Sequence, residues 1–525
     1  MSDLFAGIDS STQSTKLLVI DLDRKQVVFS QSINYDQDLD YNTVNGTVQP
    51  SQDGVSESDP RMWIEALQRL FGELKDSAVP REKIRAISVS GQQHGLVTLD
   101  EAGNLTRPLS KLWNDFSTEE ECRIVTERVG GIDRMIEEVG NSQRTGYTAG
   151  KIFHMVRHEP ERFDKTTTCF LVHNYINWYL TGGRDGGVRV MEPGDTSGMA
   201  LWNPKTARWS EKVIEAISPS LRQKLPPLKP SDQSIGTIGA QLARTYGFDP
   251  QCRIDAGCGD NMYGAIGTGN VEPGIVTISL GTSGTAYTFL RQAFIDPDGE
   301  IAAFCDSTGN HLPLLCVSNL ANGYNAILEQ HNLTHDQFID LVRQAPVGNQ
   351  GRLLIPWYAG ERTPDLPQAA PVYFGFALQD LEPKNLCRAA LEGHILNLYD
   401  GFKKMPVSAR EIRLTGGLSR SPVWVQTIAD IFQTEAIPVE GEGAALGAAI
   451  HAAWVYLREK GEKPLLSQLA ASFIKMDESK RCRPIQENVT IYRDLKRIYA
   501  SLSKRVRGIK SEDDPFLLHY TMKTR

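Results

Sequence analysis

The chain has 525 residues, of which 40% are apolar and 23% charged, with 56 Lys and Arg against 64 Asp and Glu for a net charge of −8. That length exceeds one ordinary core and implies two or three domains, and the balance of residues excludes a disordered chain. No basic block stands out, so a large nucleic-acid footprint is excluded as well.

No run approaches the roughly 20 apolar residues of a membrane span. The opening MSDLFAGIDSSTQ lacks the basic and long apolar regions of a secretory signal. The eight cysteines are scattered without a CxxC pair, which reads as reduced structural thiols in a cytoplasmic protein.

In chain order, residues 4–8 and 17–20 read as strands flanking the polar turn DSSTQSTK, with 27–33 as a third antiparallel strand. Helical periodicity is clear at 61–75. IRAISVSGQQHGLVTLDEAGN reads as strand, turn, strand and Asp/Gly turn. Gly182 to Trp209 is rich in Gly, Pro and Asp and reads as an irregular surface excursion that could reshape a pocket. GIVTISLGTSGTAYTFL, from Gly274, repeats the opening scheme of apolar run, small polar turn and apolar run. Residues 385–403 are helical, and Ala444–Leu457, rich in Ala and Gly, predicts a closely packed helix. The expected division is an N-terminal domain at 1–268, a C-terminal domain at 269–480, and a helical, partly docked tail at 481–525.

Several groups can do chemistry. Asp9 ends the first strand beside Ser11, Thr12, Ser14 and Lys16, a carboxylate next to hydroxyls and a cation that suits Mg²⁺ and phosphate. The same pattern also fits an ordinary hydroxyl-rich turn. Gly281, Thr282 and Ser283 form a second turn whose glycines let a phosphate approach the backbone, although no Walker loop is present. Gly416 and Gly417 sit at a strand-to-helix junction, which suits a phosphate or a flat ring and equally a glycine cap. Gln92, Gln93 and His94 follow a strand and carry donors and acceptors suited to a polyhydroxylated ligand. Trp113 nearby reads as a sugar platform or as core. Asp260, among apolar and small residues and followed by Asn261, reads as a general base or as the N-cap of a helix starting at Asn261.

The ordered set GIDSSTQSTK, SGQQHG, WND, GYTAGKIF, GCGDN, SLGTSG, GERTP and TGGLSRSPVWVQTIAD…EGAALGAA resembles the FGGY carbohydrate kinases, from about Phe5 to about Trp454. SGQQHG, GDN and GERTP are most similar to the xylulokinase branch. The resemblance implies an α/β protein with two ribonuclease H-like, actin-like ATPase domains flanking a deep interdomain cleft. It implies ATP and Mg²⁺ as cofactors, a small-molecule ketose as partner, no membrane or nucleic acid, and a homodimer. The implied reaction phosphorylates the terminal hydroxyl of D-xylulose. Ribulose, sedoheptulose, a deoxyketose or a polyol are alternatives, and an actin-like nucleotide-driven clamp is a distant one.

Matched by position, the resemblance makes Asp260 the catalytic base and Asp9 the metal-side carboxylate. Gln93, His94, Asn261 and Trp113 join Asp260 in substrate binding. Ser11, Thr12, Ser14, Lys16, Gly281, Thr282, Ser283, Gly416, Gly417 and Arg420 form the ATP-binding set. The lysine of GYTAGKIF marks a helix start.

Overall fold

The structure is a computed structural model describing residues 3–358, 360–441 and 443–524. Glu442 of EGAALGAA lies outside the described residues. The chain forms two compact units, each assembled from separated stretches of sequence. Unit 1 takes residues up to Glu272, then Phe289–Pro313 and Gly441–Ile474; unit 2 takes Pro273–Thr288, Leu314–Glu440 and residues from Lys475 on.

Unit 1 is built on β1 (Leu4–Ser10), β2 (Ser14–Asp21), β3 (Gln26–Asn34), β4 (Ile84–Gly91) and β5 (Arg253–Asp255). β1, β2 and β3 form an antiparallel meander, and β4 and then β5 extend the other side of β1 in parallel. Strand Ser234–Thr237 closes the edge in antiparallel sense. β1 is apolar along both faces because helices cover both. One of these, α1 (Pro60–Asp76), begins where Asp59 accepts from the Arg61 N–H and Pro60 occupies the first helical position. It buries Met62, Trp63, Ala66, Leu67, Leu70, Phe71 and Leu74, a stripe at helical spacing.

Unit 2 repeats the plan with β6 (Ile275–Leu280), β7 (Gly284–Thr288), β8 (Leu314–Val317), β9 (Glu411–Thr415) and β10 (Glu435–Glu440). β6, β7 and β8 are the antiparallel meander, β9 and β10 the parallel extension, and Lys475–Met476 the antiparallel edge. The same strand order twice in one chain is the ribonuclease H-like architecture. The tail belongs to unit 2 and carries helices Gln486–Val506 and Pro515–Thr524. The first of these buries Tyr492, Leu495, Ile498, Tyr499 and Leu502.

The Ala/Gly-rich segment is the helix Gly443–Glu459, apolar all round and packed within unit 1 on β1 and on the helix Asp260–Gly267. Glycines set the approach. A methyl at Gly7 would lie 2.0 Å from the Ala445 carbonyl oxygen, and one at Gly447 would lie 1.9 Å from that of Tyr263.

One expectation is corrected. Gly182–Trp209 is irregular, but much of it is not surface: Met191, Glu192 and Asp195–Trp202 are buried. Its carboxylates are buried because they are partnered. Glu192 accepts from the Gly194 and Asp195 N–H groups and from the Ser231 hydroxyl, and His173 lies between Glu192 and Asp195. All eight cysteines are free. Among the described residues, no helix is long and apolar enough to cross a membrane.

Candidate active site

Three parallel neighbours end at one place in unit 1. β1 ends at Asp9 and Ser10, and β4 leads into Gln92, Gln93 and His94. Cys258–Gly259, pairing with Ser90–Gly91, delivers Asp260. Ligands of parallel α/β sheets gather at such carboxyl ends.

Asp9 faces Lys16 across the β1–β2 ladder and accepts a 2.7 Å hydrogen bond from Ser90 on β4. Burial raises the Asp9 pKa to about 6 against the opposing pull of Ser90 and Lys16. The same burial lowers that of Lys16. Asp260 is the first residue of its helix and Gly259 is the cap, so the N-cap reading of Asp260 is corrected. Its carboxylate accepts instead from the Asn261 amide at 3.0 Å. Burial first, then the Asp9 and Asp195 carboxylates, push its pKa up to about 8.

A chain of amides runs away from this carboxylate. Asn261 donates to Gln93 Oε1 at 2.7 Å, and Gln93 Nε2 donates to Asp195 at 3.4 Å. Asp195 Oδ2 lies 3.3 Å from His173 Nδ1. Asp195, Glu192 and His173 are the site residues that sequence reasoning missed. Asp195 lies in the stretch read as a surface excursion, and the only local signal was its acidity.

His94 adopts a left-handed backbone, φ 66°, uncommon outside glycine although histidine is among the residues that tolerate it. Two neighbours hold its carbonyl: Lys151 Nζ donates at 2.6 Å and Thr148 at 3.2 Å. Lys151 also donates to the Gly146 carbonyl, and burial lowers its pKa to about 7. The lysine of GYTAGKIF is therefore more than the start of helix Thr148–His158: it ties the His94 loop down. The His94 ring packs edge-on to Tyr147 with centroids 4.9 Å apart. Trp113 is half-buried, and its Nε1 donates to Thr12 at 2.9 Å, so the indole anchors the first turn. Thr12 in turn donates to Gln92 at 3.2 Å, and Ser11 closes the turn on the Ser14 carbonyl at 3.0 Å.

In unit 2 the two turns also meet at one sheet end. Gly281–Ser283 joins β6 to β7, and Gly416 follows β9 beside it. Gly416 has φ 86°, and a methyl there would lie 2.6 Å from the Leu280 carbonyl oxygen. The Ser419 hydroxyl donates to the Gly416 carbonyl at 2.7 Å. Around Gly417 there is open space, Thr282 and Arg420 are exposed, and Ser283 is half-buried. Glu361 of GERTP, which the sequence left without a role, is buried under the Asn319 and Asn397 amides at 3.1 and 2.9 Å. Burial raises its pKa.

Two ribonuclease H-like units, one ending its strands in carboxylates and amides and the other in glycine-rich turns, are built as in a phosphate-handling enzyme, and the family match makes this one a sugar kinase. The chain belongs to the FGGY family of carbohydrate kinases: the family's N-terminal domain matches residues 4–267 and its C-terminal domain residues 276–456. It is 35% identical over 504 residues to the xylulose kinase of Haemophilus influenzae, covering 94% of this chain and 97% of that one. Among solved structures it is similar to the xylulose kinase of Bifidobacterium adolescentis, with a TM-score of 0.79 and 25% identity, covering 94% of this chain and 99% of that one. It is also similar to a gluconate kinase from Lactobacillus acidophilus, with a TM-score of 0.84 and 22% identity over 96% and 98% of the two chains. A fold common to kinases of such different sugars does not choose the sugar, so the acceptor must be argued from side chains.

Proposed function

We propose that this sugar kinase transfers the terminal phosphoryl group of ATP to the terminal hydroxyl of D-xylulose, giving D-xylulose 5-phosphate and ADP, with Asp260 as general base. One observation carries the assignment of the base. Asp260 stands at the end of the strand that pairs with Ser90–Gly91, its carboxylate held by Asn261, and its pKa, raised to about 8 by burial and two neighbouring carboxylates, makes its ionised form a stronger proton acceptor than an ordinary carboxylate. The likeness to the xylulose kinase of Haemophilus influenzae supports xylulose as the acceptor.

Asp260 receives the hydroxyl proton as the oxygen attacks. Asn261 keeps the carboxylate oriented through its 3.0 Å hydrogen bond. Gln93, fixed between Asn261 and Asp195, and His94, on its anchored loop, bind hydroxyls toward the carbonyl end of the ketose. The oxygens of Asp9, half-buried and close enough to Asp260 to raise its pKa, fit a hard divalent cation, and Asp9 would hold Mg²⁺. When bound, the cation neutralises charge on the transferring phosphoryl group. The turns at Gly281–Ser283 and Gly416–Gly417, with Arg420, serve the nucleotide.

Sugar-dependent ADP release across D-xylulose, D-ribulose, sedoheptulose, a deoxyketose and gluconate tests the acceptor. The highest kcat/KM is expected for D-xylulose. A sugar-independent ATPase rate equal to the rate with every sugar would overturn the kinase reading itself.

His94→Ala should lower kcat/KM for the full ketose by roughly ten- to a hundredfold, since a buried hydroxyl left unmatched costs about 1–3 kcal/mol. An analogue lacking the hydroxyl that His94 contacts should lose far less. Strain in the His94 loop acts on both substrates and cancels in the cycle. Equal losses would reduce His94 to a support of the fold.

A further inference from the structure

Helices Glu119–Val129 and Thr148–His158 pack together in unit 1; the second starts with Thr148 and Lys151, which hold the His94 carbonyl, and its last turns carry two histidines. His154 and His158 are four residues apart on the second helix, so their rings share one face, with centroids 4.6 Å apart. Glu121 points at both from the first helix. Its Oε1 lies 3.0 Å from His158 Nε2 and 3.9 Å from His154 Nδ1. All three ligand atoms fall within 4.8 Å of one another. In a tetrahedral zinc site with bonds near 2.0–2.2 Å, ligand atoms stand about 3.3–3.6 Å apart. The two distances bracket that spacing.

A second observation points to a missing ligand. His154 Nδ1 is buried and has no hydrogen-bond partner among the described residues, although a carboxylate oxygen lies before it. A buried nitrogen left so is costly unless something else fills the gap. Arg157 donates to the same Glu121 oxygen at 2.7 Å and would act as an outer partner orienting the carboxylate. His158 is half-exposed, leaving one coordination position open to water.

We propose that Glu121, His154 and His158 form a three-ligand site for a divalent transition-metal ion of the zinc class, pinning these two helices together. Imidazole with one carboxylate suits Zn²⁺ over Mg²⁺, which prefers oxygen. The site is separate from the Mg²⁺ assigned to Asp9.

Co²⁺, a spectroscopic stand-in for Zn²⁺, tests this by equilibrium dialysis against the full-length protein in Mg²⁺-containing buffer. One Co²⁺ per chain is expected, with visible absorption typical of nitrogen and oxygen ligands and no thiolate charge-transfer band. His154→Ala and His158→Ala should each weaken uptake by about tenfold or more. Both should keep sugar-dependent kinase activity, which reports an intact fold, and His158 is exposed enough for its replacement to spare packing. Uptake unchanged by His158→Ala, or a charge-transfer band from the nearby Cys122, would overturn the site. So would wild-type uptake no greater than that of the double variant.

Discussion

Asp260→Asn is expected to cut turnover by about 10²–10⁴-fold and, in the same protein, to raise thermal stability above neutral pH. The first effect is loss of the proton acceptor with the shape kept. The second follows from the carboxylate's pKa, about 8 in the fold against 3.8 for an ordinary aspartate. Between those values the unfolded chain has released the proton while the folded one still holds it. Wild-type stability therefore falls as pH rises from about 4 to about 8, then levels off. The Asn variant has no such loss. Its advantage should be absent below pH 4, open across that window and be complete above pH 8, reaching a few kcal/mol at most after solvent relaxation. Thermal melts of the two proteins without ligands, from pH 4 to pH 9, measure the gap. The kcat/KM profile measures the base: a rising limb toward pH 8 in the wild type, and a flat residual rate in the variant. A variant that is slow and also unstable at pH 9 would mean that Asp260 holds the fold together and is not strained for use.

The same carboxylate illustrates how much was legible in the sequence. The hairpin strands around DSSTQSTK and LGTSGT, the strand before SGQQHG and the strand–GG–helix junction all follow local rules of alternation and turn chemistry. They therefore appear where the residues predict them. The repeated scheme seen at Leu4 and at Gly274 proves to be one topology built twice. What failed was tertiary. Asp195 carries no local sign of burial, because His173, whose ring lies 3.3 Å from its carboxylate, comes from another element. Gly182–Trp209 therefore looked like surface. Trp113, read as a sugar platform or as core, has a partner that local sequence does not show: its indole donates to Thr12, about a hundred positions earlier. Asp260 read as a base or as a cap, the second because Asp before a helical run usually is one. Here Gly259 takes that place and frees the carboxylate. Local propensity described the scaffold, and the departures from it cluster at the candidate site.

Gly447→Ala is expected to be the most damaging change away from the chemistry. The helix Gly443–Glu459 returns late in the chain to cross β1 and the helix that begins at Asp260. The crossing is closed from both sides. An added methyl at Gly447 would stand 1.9 Å from the Tyr263 carbonyl oxygen, and one at Gly267 would stand 2.2 Å from that of Gly443. The obstructing atoms are backbone, so no side chain can rotate away and the helices must separate. Overpacking in a tight core costs about 1–3 kcal/mol, and more where backbone has to move. Tyr263 lies three residues after Asp260, so separation would also shift the base. A 1 Å misplacement alone can cost about a hundredfold in rate. Gly447→Ala should therefore lower the melting temperature by several degrees and lower kcat well beyond what the melting temperature explains. Gly461→Ala is the control: no atom lies within 4 Å of its added methyl, yet its φ of 88° brings backbone strain. That variant should lose stability without losing kcat at a temperature where it remains folded. Equal kcat for the two variants under those conditions would mean that the helix crossing supports the fold without positioning Asp260.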